Sequence, residues 1–208
     1  IGMGQPKLAS FEPAYADELE VIMRWGFGHM QAEDGGSVYL RLSTRTLSQP
    51  QRELTEQQAA DILSGAYWLV EPADGAELAL IFTGAVAPEV LDAAEQIRED
   101  VPGLGVLAVT SSDRMYHDWQ NASRTGGDCH VTRMLDRLAP NAGLVTVQDA
   151  HPANLSWIGG AVGRRVYPLG VTDFGQSGDI AALYAHHGLD AEAIVDASAR
   201  ACVTTARG

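Results

Sequence analysis

Residues 143–178, GLVTVQDAHPANLSWIGGAVGRRVYPLGVTDFGQSG, spell a strand, a turn, a helix, a second strand and a glycine turn that opens another helix. Leu144, Val145 and Val147 make a short apolar run ending at Asp149, the pattern of a strand covered on both faces with an acid at its carboxyl end. Pro152 suits the first turn of a helix, where a missing N–H loses no partner. Leu155, Ile158 and Val162 recur at helical spacing, and residues 165–171 return as a second strand. A helix between two such strands is a βαβ unit, which packs back on its sheet as a right-handed crossover. The glycines at 159, 160 and 163 follow no strand, so they read as close helix packing and a helix stop.

Upstream, residues 1–12 read as a loop entering a short extended segment. Pro13 then starts a helix with Tyr15, Leu19, Ile22, Met23 and Met30 on one face and Asp17, Glu18 and Glu20 near its positive amino end. Asp34-Gly35-Gly36 breaks that helix, and Val38, Leu40 and Leu42 alternate with Tyr39, Arg41 and Ser43 as a half-buried strand. Residues 43–54 form a polar connector. Residues 1–54 are therefore an amino-terminal helix-strand extension and residues 55–208 the main domain. Thr55 and Gln58 have capping-box spacing for a short helix ending at Gly65.

Strands follow at 67–70 and 77–83, joined so tightly through Pro72-Ala73-Asp74-Gly75 that they read as antiparallel neighbours. A helix opening at Pro88 carries Val90, Ala94, Ile97 and Val101 on one face. Residues 105–110 form the next strand, and Val131, Met134, Leu135 and Leu138 mark a helix before the central unit. Helices around 180–187 and 190–202 close the chain. The alternation predicts a three-layer α/β/α domain with a mixed sheet of about five strands, mostly parallel with one antiparallel edge.

Of 208 residues 46% are hydrophobic, enough to bury a full core, which argues against disorder. Lys7 is the only lysine, and a net charge of −13 repels phosphate backbones and anionic lipid, which speaks against nucleic-acid and membrane-surface partners. No apolar run approaches bilayer length, and no signal-peptide pattern opens the chain. Cys129 and Cys202 are too few for a disulfide framework, so free thiols in a cytoplasmic protein are expected. The first residue, Ile1, suggests a processed product or a piece of something longer.

Ligands of open α/β sheets gather outside the carboxyl ends of the strands. Those ends offer Thr83-Gly84, Thr110-Ser111-Ser112, Asp149 with His151, and Asp173 through Ser177. Asp149, His151, Asp173 and Ser177 form the candidate ligand site, with His151 as a base oriented by Asp149. The competing account is that they are turn and cap residues, since no arginine or lysine cluster is evident there to hold an anion. Asp113 and His117, four apart, supply two ligands of one helix face, and two do not make a metal site. His186-His187 suit the last turn of a helix. Neither a nucleophile elbow nor a P-loop occurs.

The turn Asp173-Phe174-Gly175-Gln176-Ser177 resembles the Phe-Gly-x-Ser motif that closes the last strand of the carboxyl-terminal domain in the transketolase superfamily. Phe11-Glu12-Pro13-Ala14-Tyr15, Val38-Tyr39-Leu40, Gly65-Ala66-Tyr67, Thr83-Gly84 and Val109-Thr110-Ser111 fall in the order of that family. The chain most resembles the carboxyl-terminal part of the homodimeric first component of pyruvate dehydrogenase, from about Phe11 to Arg200. It departs from those enzymes at Thr44-Arg45-Thr46-Leu47, where they are asparagine-rich, and at Gln176 and Gly178, where they carry arginine and aspartate.

The resemblance implies a transketolase carboxyl-terminal-domain fold preceded by the end of a pyrimidine-binding domain. For a full-length parent it implies oxidative decarboxylation of a 2-oxo acid with thiamine diphosphate and magnesium, and acyl transfer to lipoyl groups. The family's Gly-Asp-Gly magnesium motif is absent: Gly127-Asp128-Cys129 and Gly178-Asp179-Ile180 both fail at the third position. The family's cofactor-activating glutamate belongs upstream of Phe11. The expectation is thus a structural and assembly module that holds no cofactor, is inactive alone, forms a homodimer or larger assembly, and contacts the acyltransferase core in its parent. A fragment of a transketolase-type ketol transferase is the alternative, as is a self-sufficient enzyme or binding domain using Asp149, His151 and Ser177.

Overall fold

The computed structural model describes residues 4–205, so Ile1 lies outside the described residues. The elements are β1 (Leu8–Phe11), α1 (Ala16–Gln31), β2 (Ser37–Leu40), α2 (Glu56–Ser64), β3 (Ala66–Val70), β4 (Ala76–Thr83), α3 (Ala87–Ile97) and β5 (Gly105–Val109). They continue with α4 (Ser112–Thr125), α5 (His130–Leu135), β6 (Leu138–Gln148), α6 (Ala153–Ser156), α7 (Ile158–Val162), β7 (Val166–Leu169), α8 (Ile180–His187) and α9 (Ala191–Thr205).

A five-stranded sheet runs in the order β3-β5-β4-β6-β7. β4 through β7 are parallel, and β3 lies antiparallel against β5 at one edge. The two-residue period of β4 divides the core. Leu78, Leu80 and Phe82 pack with Val90 of α3 and Ile194 and Ala197 of α9, while Ala79 and Ile81 pack with Met115 of α4, Leu135 of α5 and Ile158 of α7. The result is the expected three-layer α/β/α arrangement with a mixed sheet. Gly143 lets α9 approach β6, since a Cβ there would lie 2.7 Å from the Ala201 Cβ.

The central βαβ unit is present, with β6 and β7 parallel and its helix divided into α6 and α7 by Trp157. β3 and β4 are not neighbours. Both edges of β4 are taken, by β5 and β6, and the link through residues 71–75 steps across the start of β5, held by Ala73 N–H donating to Gly103 O (2.9 Å). Two inter-strand spacings are about 10 Å, well within the reach of five residues. A short link therefore demanded opposite direction but not adjacency.

Three further expectations are corrected. α1 begins at Ala16 rather than Pro13, because the Glu18 carboxylate bonds the Ala14 and Tyr15 N–H groups and caps the helix there. Its buried face is Glu18, Ile22 and Gly26, leaving Met23 and Met30 exposed. Leu138 opens β6 instead of ending α5, and α4, a polar amphipathic helix not anticipated from the sequence, follows β5.

Residues 4–54 share the domain's core, since Ala9, Phe11, Tyr15 and Ile22 belong to the same apolar cluster as β4 and α3. Polar contacts lock the junction. Ser10 N–H donates to Asp113 Oδ2 (2.9 Å), and Ser111 Oγ donates to Ser10 O (2.6 Å). Glu18, fully buried, also accepts from the Tyr67 hydroxyl of β3 at 2.5 Å. Arg52 donates to that hydroxyl (2.8 Å) and to Asp17 (2.7 Å), and its guanidinium lies over the rings of Tyr15 and Tyr67. Burial raises the pKa of Glu18, opposed by the Tyr67 hydroxyl; burial and the Glu18 charge together raise that of Tyr67.

Removing one hydroxyl leaves two of these groups short of a partner. Tyr67→Phe is expected to cost about 1–3 kcal/mol, read as a fall in melting temperature of roughly 2–12 °C by circular dichroism.

Candidate functional site

The parallel strands β4, β6 and β7 end along one edge of the sheet, at Thr83, Gln148 and Leu169. The connector that follows β2 crosses this edge and brings two arginines to it. Arg41 pairs through Nη1 with the Glu12 carboxylate and donates through Nη2 to Asp149 O (2.7 Å). Arg45 donates from Nη1 to Ala85 O (3.0 Å) and pairs twice with Glu89, at 2.8 and 2.7 Å. Its guanidinium lies 5.4 Å from the centre of the Tyr184 ring. Gly84, at φ 65°, leaves room for this network, because a Cβ there would stand 2.6 Å from Glu12 Oε1.

Beneath the connector lies a cavity of about 290 Å³ lined by Ser43, Arg45, Asp149, Asp173, Tyr184 and His187, among others. A second, of about 250 Å³, shares Ser43 and Asp149 and adds Glu12 and Arg41. The Tyr184 hydroxyl donates to Asp149 Oδ2 at 3.4 Å, and burial with the nearby Asp149 charge pushes its pKa up to about 12. Burial also raises Glu12, against the attraction of Arg41.

The structure brings together two of the four proposed site residues. Asp149 and Asp173 line the larger cavity; His151 and Ser177 do not. His151 is exposed and its Nδ1 accepts from Ala153 N–H (3.2 Å), a turn contact, while the Asp149 carboxylate meets Tyr184 instead of the imidazole. Ser177 is exposed in the 172–178 loop. The hydroxyls that follow β5 are committed to structure: Thr110 Oγ1 to Ile62 O (2.6 Å), Ser112 Oγ to Asn154 O (2.7 Å), and Ser111 to Ser10 O and Asp113. Asp113 is a buried clasp, and His117 is exposed. Among the described residues no group of three or more His, Cys, Asp or Glu side chains is placed to hold a metal ion.

Arg41, Arg45, Glu12 and Tyr184 were not singled out by sequence reasoning as site residues. The available signal was two arginines four apart in a chain with one lysine, at the end of a strand pattern. Chemically, the edge offers two carboxylates and a phenol beside apolar side chains, and its two guanidiniums are already neutralised by Glu12 and Glu89. It assembles neither a nucleophile with a base nor an open cationic cradle for phosphate.

Because the folded-state pKa of Glu12 is raised, the native state keeps a proton that the unfolded chain has lost. Its contribution to stability therefore falls as pH rises from 4.5 through the folded value. Melting temperatures measured from pH 4 to pH 7 should show Glu12→Gln losing less stability than the wild type over that rise.

Residues 65–190 match the family model described as "Transketolase-like TK C-terminal domain". The chain is 26% identical over 191 residues to "Transketolase 1" of Aliivibrio fischeri, covering 92% of this chain and 26% of that protein. It is 31% identical over 122 residues to the "Pyruvate dehydrogenase E1 component" of Escherichia coli, covering 57% of this chain and 14% of that one. The chain thus spans about a quarter or less of the curated relatives it matches. In fold it is similar to the chain of a "Split gene transketolase, inactive beta4 tetramer", with a TM-score of 0.65 at 20% identity over 95% of this chain and 59% of that one.

Proposed function

We propose, from the premise that this chain belongs to the Transketolase-like TK C-terminal domain family, that it is a structural and assembly module of a thiamine-diphosphate-dependent enzyme. The observation that carries this reading is the state of the strand-end crevice, where Arg41 and Arg45 are spent on Glu12, Asp149 O and Glu89. A diphosphate needs free N–H donors or cations, and its magnesium needs several hard oxygen ligands. That crevice does not fit such a group. The cofactor and metal would be held by other domains of a longer parent, or by another chain. The parent would be of the pyruvate dehydrogenase type, decarboxylating a 2-oxo acid, with this module making dimer contacts and docking the acyltransferase core.

The split-gene relative supports the module reading: a chain of similar fold is described there as an inactive tetramer. A second reading, a module of a transketolase-type ketol transferase, is favoured by the coverage of 92% of this chain in that match against 57% in the other.

Isothermal titration of the isolated chain with thiamine diphosphate and magnesium is expected to give no heat of binding, and micromolar affinity would overturn the module reading. Once the catalytic domains are supplied, ferricyanide reduction driven by a 2-oxo acid marks the first parent and ketol transfer from a sugar phosphate marks the second.

A further inference from the structure

Residues 172–188 leave the sheet after β7 and rejoin the core at Leu189. Both ends of the segment are fixed: Val171 N–H donates to Ala150 O (2.9 Å), and Leu189 is fully buried. Between these anchors the chain is loosely held. Residues 172–180 are exposed without a break, and α8 buries only Tyr184. Tyr184 is also the one residue of the segment that belongs to an apolar cluster of the core.

The other polar bonds of the segment close on themselves. Asp179 caps α8 by accepting from Ala182 N–H (2.8 Å), and Thr172 Oγ1 donates to Asp173 Oδ2 (3.4 Å). Among the described residues, the side-chain ties from this segment to the rest of the chain run through Tyr184. Its hydroxyl donates to Asp149 Oδ2 (3.4 Å), and the Arg45 guanidinium lies 5.4 Å from the centre of its ring. An isolated helix needs about 12–15 residues to persist in water, and α8 has eight. The helix therefore depends on the one side chain that packs.

The same segment roofs the larger cavity. Ser43, Arg45, Asp149 and Val171 form the floor, and every other lining residue, from Asp173 to His187, lies on the segment. We propose that residues 172–188 are a flap that opens by itself while the α/β/α body stays folded, latched by Tyr184 on Arg45 and Asp149. Opening withdraws one buried aromatic side chain, one long hydrogen bond and one cation–π contact. Opening β6 or α9 instead would break into a core in which Val145, Val147, Ile194 and Ala197 are fully buried. Segments with few buried apolar contacts open locally at free energies far below that of global unfolding. The open form uncovers the Asp149 carboxylate and the face of the Arg45 guanidinium, so the flap gates the strand-end crevice. Its anchoring is internal to the 55–208 domain and goes beyond the module reading, holding whichever parent the chain serves.

Native-state hydrogen exchange of the intact chain, read by mass spectrometry, separates flap from body. Amides of residues 183–188 are expected to be at least about 100-fold less protected than those of residues 143–148 in β6. Tyr184→Leu keeps an apolar side chain but removes the ring and the hydroxyl. It should lower flap protection about a further tenfold and leave the β6 amides the slowest of the two sets, with a cooperative circular-dichroism melt verifying that the variant is folded. Flap amides as protected as β6 in the wild type would overturn the proposal, because flap and body would then open as one unit; that comparison holds whether or not the variant folds. A folded Tyr184→Leu chain whose flap exchanges at the wild-type rate would overturn it as well, since the latch would lie elsewhere.

Discussion

The constraint on which this molecule depends is the double engagement of β4. Its two backbone edges are occupied by β5 and β6, and its two faces by separate helical layers, so Leu78, Ala79, Leu80 and Ile81 are all fully buried. A strand in that position has no freedom of register, because a shift of one residue would exchange the contents of the two cores. The order of the remaining strands follows. β3, arriving through a short link, finds both edges of β4 taken and pairs with the far side of β5, which makes it the antiparallel edge.

The same arrangement decides what the carboxyl-terminal edge of the sheet can do. Parallel strands present their ends together, and in open sheets that edge commonly receives a ligand. Here the connector after β2 crosses it and fills much of it with protein. Arg41 and Arg45 bind the connector to Glu12, Asp149 O, Ala85 O and Glu89, tying the extension to β4, α3 and β6. Cationic groups used in this way serve assembly of the fold.

The extension has a mixed character. One side is an integral part of the domain, with Phe11, Tyr15 and Ile22 in its core and the carboxylate of Glu18 held by Tyr67 beside Arg52. The other side carries the exposed side chains of Met23, Phe27 and Met30.

The sequence alone was sufficient for the βαβ unit at 143–171, the capping box at Thr55 and Gln58, the three layers and the single antiparallel edge, because periodicity, caps and glycine stops are local signals. It also carried the family resemblance, since the Phe-Gly-x-Ser turn and its companions are short contiguous motifs. It did not reveal that β5 separates β3 from β4, that Glu18 is buried, or that Met23 faces outward, since each depends on which distant surface comes to lie against the segment. The site divides in the same way: Asp149 and Asp173 were legible as strand-end carboxylates. Their neighbours Arg41, Arg45 and Tyr184 were not, because no local pattern says that a connector more than a hundred residues upstream will fold across the ends of β6 and β7. Only tertiary packing decides which charges meet, and that pairing determines whether an arginine is free to bind a ligand or is consumed in holding the chain together.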